Sequence, residues 1–138
     1  MTQLNDLLGQ QKRVVSISQY ATVRDGAKAM AEANVGCAAI MEGPKLVGLF
    51  TERDILKRIL LQNLDVDKVT IAEVMTRELI CAGALQSAND ARVLMERHHI
   101  RHLPVLNDDA DLLGVLSIRD LVLDQVNEMR NYITMHEG

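Results

Sequence analysis

With 138 residues, 48% of them hydrophobic and 25% charged, the chain is long and apolar enough for one globular domain or two small ones sharing a core, and its composition is neither disordered nor fibrous. A net charge of −4 supplies no positive field for nucleic acid or anionic lipid, so any anion must be caught locally. Tyr20 and Tyr132 are the only tyrosines, Phe50 is the only phenylalanine and there is no tryptophan, too few to form a stacking platform for single-stranded bases.

Residues 1–13 (MTQLNDLLGQQKR) contain no apolar stretch of signal-peptide length, and no charge-free apolar run approaches the roughly 18 residues of a membrane span, which predicts a cytoplasmic protein with no membrane partner. The first expected strand is Val14–Ile17. Thr22 then stands three residues before Asp25, a spacing at which hydroxyl and carboxylate can cap a new helix, and Val23, Ala27, Met30 and Ala31 give that helix an apolar stripe. Gly36–Met41 has the length of a buried strand, Glu42–Lys45 (EGPK) reads as a turn, and Leu46–Phe50 as a third strand. A second box, Thr51 with Asp54, opens a last helix over Asp54–Gln62.

The same order then returns: strand Leu79–Ala82, box Ser87/Asp90, a helix with Ala91, Leu94 and Met95 on one face, strand His102–Leu106, turn Asn107–Asp111, strand Leu112–Leu116, box Ser117/Asp120, and a helix over Asp120–Ile133. Residues 22–41 match 87–106 at an offset of 65, which becomes 66 beyond the turn, where an insertion is tolerated. The expected organisation is an N-terminal segment 1–13, a repeat over 14–62, a linker and lead-in over 63–78, a second repeat over 79–126, and a helix end and tail over 127–138. One repeat alone would leave a face of its sheet wet. The expected fold class is therefore α/β (α+β), with two pseudo-symmetric β-α-β-β-α repeats packed sheet to sheet as one module. Apolar residues on the last helices, among them Leu56, Leu60, Val122, Val126, Met129 and Ile133, exceed what one intramolecular face needs and predict a homodimer.

Read from the residues alone, the boxes at Thr51/Asp54 and Ser117/Asp120 have two meanings. They are helix caps like Thr22/Asp25 and Ser87/Asp90, or the unpaired N–H groups at the helix start also face an anion. Arg101 can pair with an oxyanion in bidentate fashion, and His102 gains charge below about pH 6.5. Gly36 and Cys37 hold the equivalent places in the first copy, so two such sites would differ. Arg53 and Arg119 stand in first helical turns, against the helix dipole, which points to an anion or a carboxylate nearby. Cys37 and Cys81 form no CxxC motif and read as buried thiols. His98, His99 and His102 (HHxxH) invite a small metal-dependent enzyme but lack a carboxylate or Cys partner, so a polar helix end accounts for them better and no metal site is expected. Without GxSxG, a Cys–His pair or a P-loop, no enzyme activity and no catalytic residue is expected.

GLFTERDIL (48–56), EVMTRELI (73–80) and IRHLPVLNDDADLLGVLSIRDLV (100–122), placed as they are, make the chain resemble a tandem cystathionine-β-synthase (CBS) domain pair over residues 14–126, standing alone. The resemblance implies a regulatory module that binds an adenosine-containing effector (AMP, ADP, ATP, NAD(H) or S-adenosylmethionine) in clefts between the repeats, dimerises, and signals energy or redox state to a regulated protein. It implies nucleotide-binding roles for Thr51, Arg53, Asp54, Thr76, Arg101, His102, Ser117, Arg119 and Asp120. Thr76 has Gln11 as its counterpart in the first copy. The alternative is a ligand-free structural module whose activity is dimerisation and interaction.

Overall fold

The hydroxyl-x-x-Asp boxes stand at helix starts, while the leading strands are shorter than expected, Ser16–Ile17 in place of Val14–Ile17 and Ala82–Gly83 in place of Leu79–Ala82. The computed structural model describes residues 2–9 and 14–137. Among them the elements are α1 (Leu4–Leu8), β1 (Ser16–Ile17), α2 (Val23–Ala33), β2 (Cys37–Glu42), β3 (Lys45–Thr51), α3 (Glu52–Asp54) running into a π-helical stretch (Ile55–Leu60), α4 (Ile71–Val74), β4 (Ala82–Gly83), α5 (Ala88–His98), β5 (His102–Leu106), β6 (Leu112–Ser117) and α6 (Ile118–Glu137). No helix among the described residues is long and apolar enough to cross a membrane.

The chain forms two compact units. One contains β1 to β3 in that sheet order with α2, α3 and α4; the other contains β4, β5 and β6 in that order with α1, α5 and α6. In each unit a short first strand runs parallel to the second, Ser16 opposite Ala39 and Ala82 opposite Val105, so a helix must carry the chain back between them. That helix begins at Thr22, whose side chain accepts from the Asp25 N–H at 3.2 Å, or at Ser87, which accepts from Asp90 at 3.0 Å. It ends at a residue in the left-handed region, Asn34 (φ 54°) or His99 (φ 53°). The next N–H reaches back five residues in both copies, from Val35 to Met30 O and from Ile100 to Met95 O. His99 therefore terminates a helix. Gly43, at φ +60°, makes the two-residue turn that pairs Glu42 with Lys45.

Each core is closed by a short helix that the strand and helix patterns did not announce. Ile71 and Val74 of α4 pack with Phe50, Ile40 and Met30, while Leu4 and Leu7 of α1 pack with Leu103, Val105 and Leu116. The docking is the same in both. Ile71 and Ala72 donate to the carbonyls of Ala21 and Gln19, and Leu4 and Asn5 donate to those of Gln86 and Ala84. Thus the helix that precedes the second repeat in sequence belongs to the first unit, and the helix that precedes the first repeat belongs to the second. The last helices also differ from expectation. The expected helix 54–62 becomes π-helical, with Leu61 N–H bonded to Leu56 O, and α6 is longer than expected, reaching Glu137.

Beyond α4 the chain runs along β3, where Thr76 and Leu49 exchange both main-chain hydrogen bonds, at 2.8 and 3.0 Å. Gly48 permits this approach. A Cβ there would lie 2.6 Å from Met75 Sδ and 3.1 Å from the Thr76 carbonyl oxygen. Gly48→Ala is expected to cost about 1–3 kcal/mol, read as a lower urea midpoint at unchanged m-value. An unchanged midpoint would mean that Met75 repacks freely.

Candidate functional site

Strand β3 delivers Thr51 in extended conformation (φ −121°, ψ 165°) to the start of α3. There Asp54 is the one buried charged side chain among the described residues, 6% exposed. Its carboxylate accepts from the Thr51 N–H at 3.0 Å and the Thr51 hydroxyl at 3.2 Å, and from the Thr76 hydroxyl at 3.1 Å to Oδ1. Arg58, one turn on, brings Nε to 3.5 Å from Oδ1, while its Nη1 donates to the carbonyls of Val74 and Met75 at 3.1 and 3.2 Å. The structure therefore brings Thr51, Asp54 and Thr76 together, and Arg58 joins them. The sequence reading passed over Arg58, although an Asp followed four residues later by Arg on one helix is a readable signal. Arg53 lies exposed on the same first turn. Cys37, paired in register with Thr51, is pushed up to about 12 by burial and by the Asp54 charge, so its thiol stays protonated and unreactive.

The second box is built the same way and environed differently. Ser117 ends β6, its N–H donates to Asp120 Oδ2 at 2.8 Å, and its hydroxyl accepts from the Asp120 N–H at 3.2 Å. Asp120 is half-buried, at the head of a helix of 20 residues. The main chain of Arg101 is tied to this turn, its carbonyl accepting from the Ile118 N–H at 2.8 Å; the same bond links Gly36 and Glu52 in the other unit. His102 is half-buried at the start of β5, and Arg101 and Arg119 are exposed. Arg101, His102, Ser117, Arg119 and Asp120 thus gather at one end of the sheet in their own unit. Thr76's counterpart, Gln11, lies outside the described residues.

Hydrogen bonding alone does not separate cap from site. Ser87 and Asp90 exchange the same reciprocal bonds, both at 3.0 Å, with Asp90 exposed. Burial and neighbours distinguish them. A further box, Thr70 with Glu73, caps α4, and the Thr70 N–H holds the Glu73 carboxyl below its usual range. Among the described residues no three His, Cys, Asp or Glu side chains come together as a metal site.

The family model for the CBS domain matches residues 6–61 and 71–126. Over 115 residues, 83% of this chain and 81% of the relative, the sequence is 34% identical to a CBS domain-containing protein of Bacillus subtilis. A solved CBS domain protein from Pyrobaculum aerophilum complexed with AMP is 31% identical, with a TM-score of 0.79 over 91% of this chain and 98% of that one. A CBS domain pair in complex with 5′-methylthioadenosine and S-adenosyl-L-methionine is 28% identical, with a TM-score of 0.81 over 93% of this chain and 98% of that one.

Proposed function

Because the chain belongs to the CBS-domain family, we propose that it is a non-catalytic regulatory module whose effector carries an adenosine group, taken at the Ser117/Asp120 box. The observation that carries this reading is a half-buried carboxylate at the head of α6, with the main chain of Arg101 bonded to the first residue of that helix, in a chain 31% identical to a protein solved with AMP. The Asp120 carboxylate would accept from both ribose hydroxyls. The first-turn N–H groups, Arg101, Arg119 and His102 would face the phosphate. Binding energy spent in only one conformation shifts the population toward it, and a regulated protein that prefers that conformation responds. The module is proposed to act as a homodimer in the cytoplasm, reporting energy or redox state.

An adenosyl ligand at about a hundred times its dissociation constant adds close to 2.7 kcal/mol of stability, so a thermal-shift series with AMP, ATP, NADH, S-adenosylmethionine and GTP is expected to show an adenosine-specific rise. Asp120→Asn should weaken AMP binding about tenfold or more by calorimetry, since a mixed donor and acceptor then faces two hydroxyl donors. Asp25→Asn, in a box that only caps, should leave affinity unchanged. Arg101→Ala should weaken AMP binding more than adenosine binding. No rise with any adenosyl ligand would favour a structural module. That second reading has a specific observation behind it at the first box, where the chain's own groups fill the Asp54 carboxylate.

A further inference from the structure

We propose that Met129 is an oxidation site that sets the oligomeric state: a peroxide that converts its thioether to the sulfoxide releases the homodimer into monomers. This rests on the homodimer reading above and names what would regulate it. Among the described methionines, Met30, Met75 and Met95 are buried in the two cores and Met41 is half-buried, whereas Met129 and Met135, both on α6, are 61% and 79% exposed. An oxidant in water reaches the α6 thioethers first. Met129 lies on a stripe with Val122, Val126 and Ile133, at spacings of four, three and four, so the four share one face of the helix. Met135 lies off that stripe.

The side of α6 that its own unit uses is polar, for Thr2 and Asp6 share a groove with Asp124, Asn127 and Asn131, and the Thr2 hydroxyl donates to Glu128 at 2.9 Å. The apolar stripe is left to a second copy. Its spacing is self-complementary, so a twofold axis brings the same residues together. Of the four positions that flank it, Leu123, Gln125 and Tyr132 are uncharged and Arg130 alone carries charge, so a second copy meets little repulsion and a charged partner little attraction. With hydrogen peroxide the Met129 sulfur attacks one oxygen, the S–O bond forms as the O–O bond breaks, and the departing hydroxide takes the transferred oxygen's proton to leave as water. Sulfur is oxidised by two electrons and the peroxide is reduced by two. The sulfoxide then places a strong acceptor without a donor in an apolar seam, once on each chain. Because the seam shields the thioether in the dimer, the reaction draws on the monomer and withdraws it from the equilibrium.

Light scattering of the full chain before and after hydrogen peroxide tests this. The untreated parent should be dimeric at micromolar concentration and the treated parent monomeric, its association weakened about tenfold or more. Met129→Leu should stay dimeric after treatment, while Met135→Leu should dissociate like the parent. Since Met129→Leu keeps Cys37 and Cys81, dissociation through a thiol would show in that variant. Mass spectrometry gives a second readout: the fraction of Met129 oxidised at a fixed time should fall as chain concentration rises, and that of Met135 should not. A treated parent that stays dimeric, a treated Met129→Leu that dissociates, or Met129 oxidation that ignores concentration would each overturn the proposal. An untreated parent that is already monomeric would sink the homodimer reading first, and this proposal with it.

Discussion

Val126→Asp is expected to leave the protein monomeric at micromolar concentration, where the parent should be a homodimer. On α6 Val122, Val126, Met129 and Ile133 recur at spacings of four, three and four, the seam of a helix that packs against another helix. They are 51, 39, 61 and 50% exposed. The opposite side of the helix is polar: Asp124, Asn127, Glu128 and Asn131 face a groove shared with Thr2 and Asp6, and the Thr2 hydroxyl donates to Glu128 at 2.9 Å. Past Leu121, then, α6 turns polar groups toward its own unit and apolar groups outward, the reverse of a helix that ends at its own core. A second copy of the same seam is the partner that symmetry supplies most simply. A carboxylate in the middle of the seam would be desolvated without a counter-charge, costing about 3–4 kcal/mol, or roughly 10²–10³-fold in association. Light scattering of Val126→Asp beside Asn89→Asp, which places the same charge on an exposed face of α5, checks this. A monomeric parent would remove the dimer altogether.

Asp54→Ala should lose about 3–4 kcal/mol of stability in urea unfolding, against about 1 kcal/mol for Asp90→Ala. Both substitutions remove the carboxylate of a capping box. Each also orphans the N–H of its own capping residue, Thr51 or Ser87, but only the first does so beside a buried carboxylate and leaves the Thr76 hydroxyl without its acceptor, at about 1–3 kcal/mol per donor. Arg58 adds little to the sum, since its side chain is half exposed and can turn to water. Equal losses for the two variants would show that burial confers nothing on the Asp54 box beyond an ordinary cap.

The repeat, its turns and its four hydroxyl-x-x-Asp boxes were legible because each is a local pattern: a fixed offset, a Gly-Pro pair, a three-residue spacing. What distinguishes Asp54 from Asp25, Asp90 and Asp120 was not, because all four share that spacing. The difference arises from Thr76, 22 residues away, and from carbonyls 16 and 17 residues beyond Arg58. Likewise α1 and α4, of five and four residues, span too little sequence to show a helical period. Their buried pairs, Leu4 with Leu7 and Ile71 with Val74, have helical spacing but are single repeats of it. The π-helical stretch has the composition of an ordinary helix, and its wider winding is set by packing.

The crossing of the two short leading helices has a consequence for the order in which a ribosome can finish the protein. Ile71 docks on carbonyls made some fifty residues earlier, so the first unit's main segments can come together once translation passes Leu79. Leu4 and Asn5 are made earlier still, yet the carbonyls they need belong to Gln86 and Ala84. At about 5–20 residues per second, α1 waits on the order of 4–16 s with Leu4 and Leu7 uncovered. During those seconds the nascent chain presents an uncovered apolar pair, and a chaperone that reads such pairs would meet it before the second unit exists.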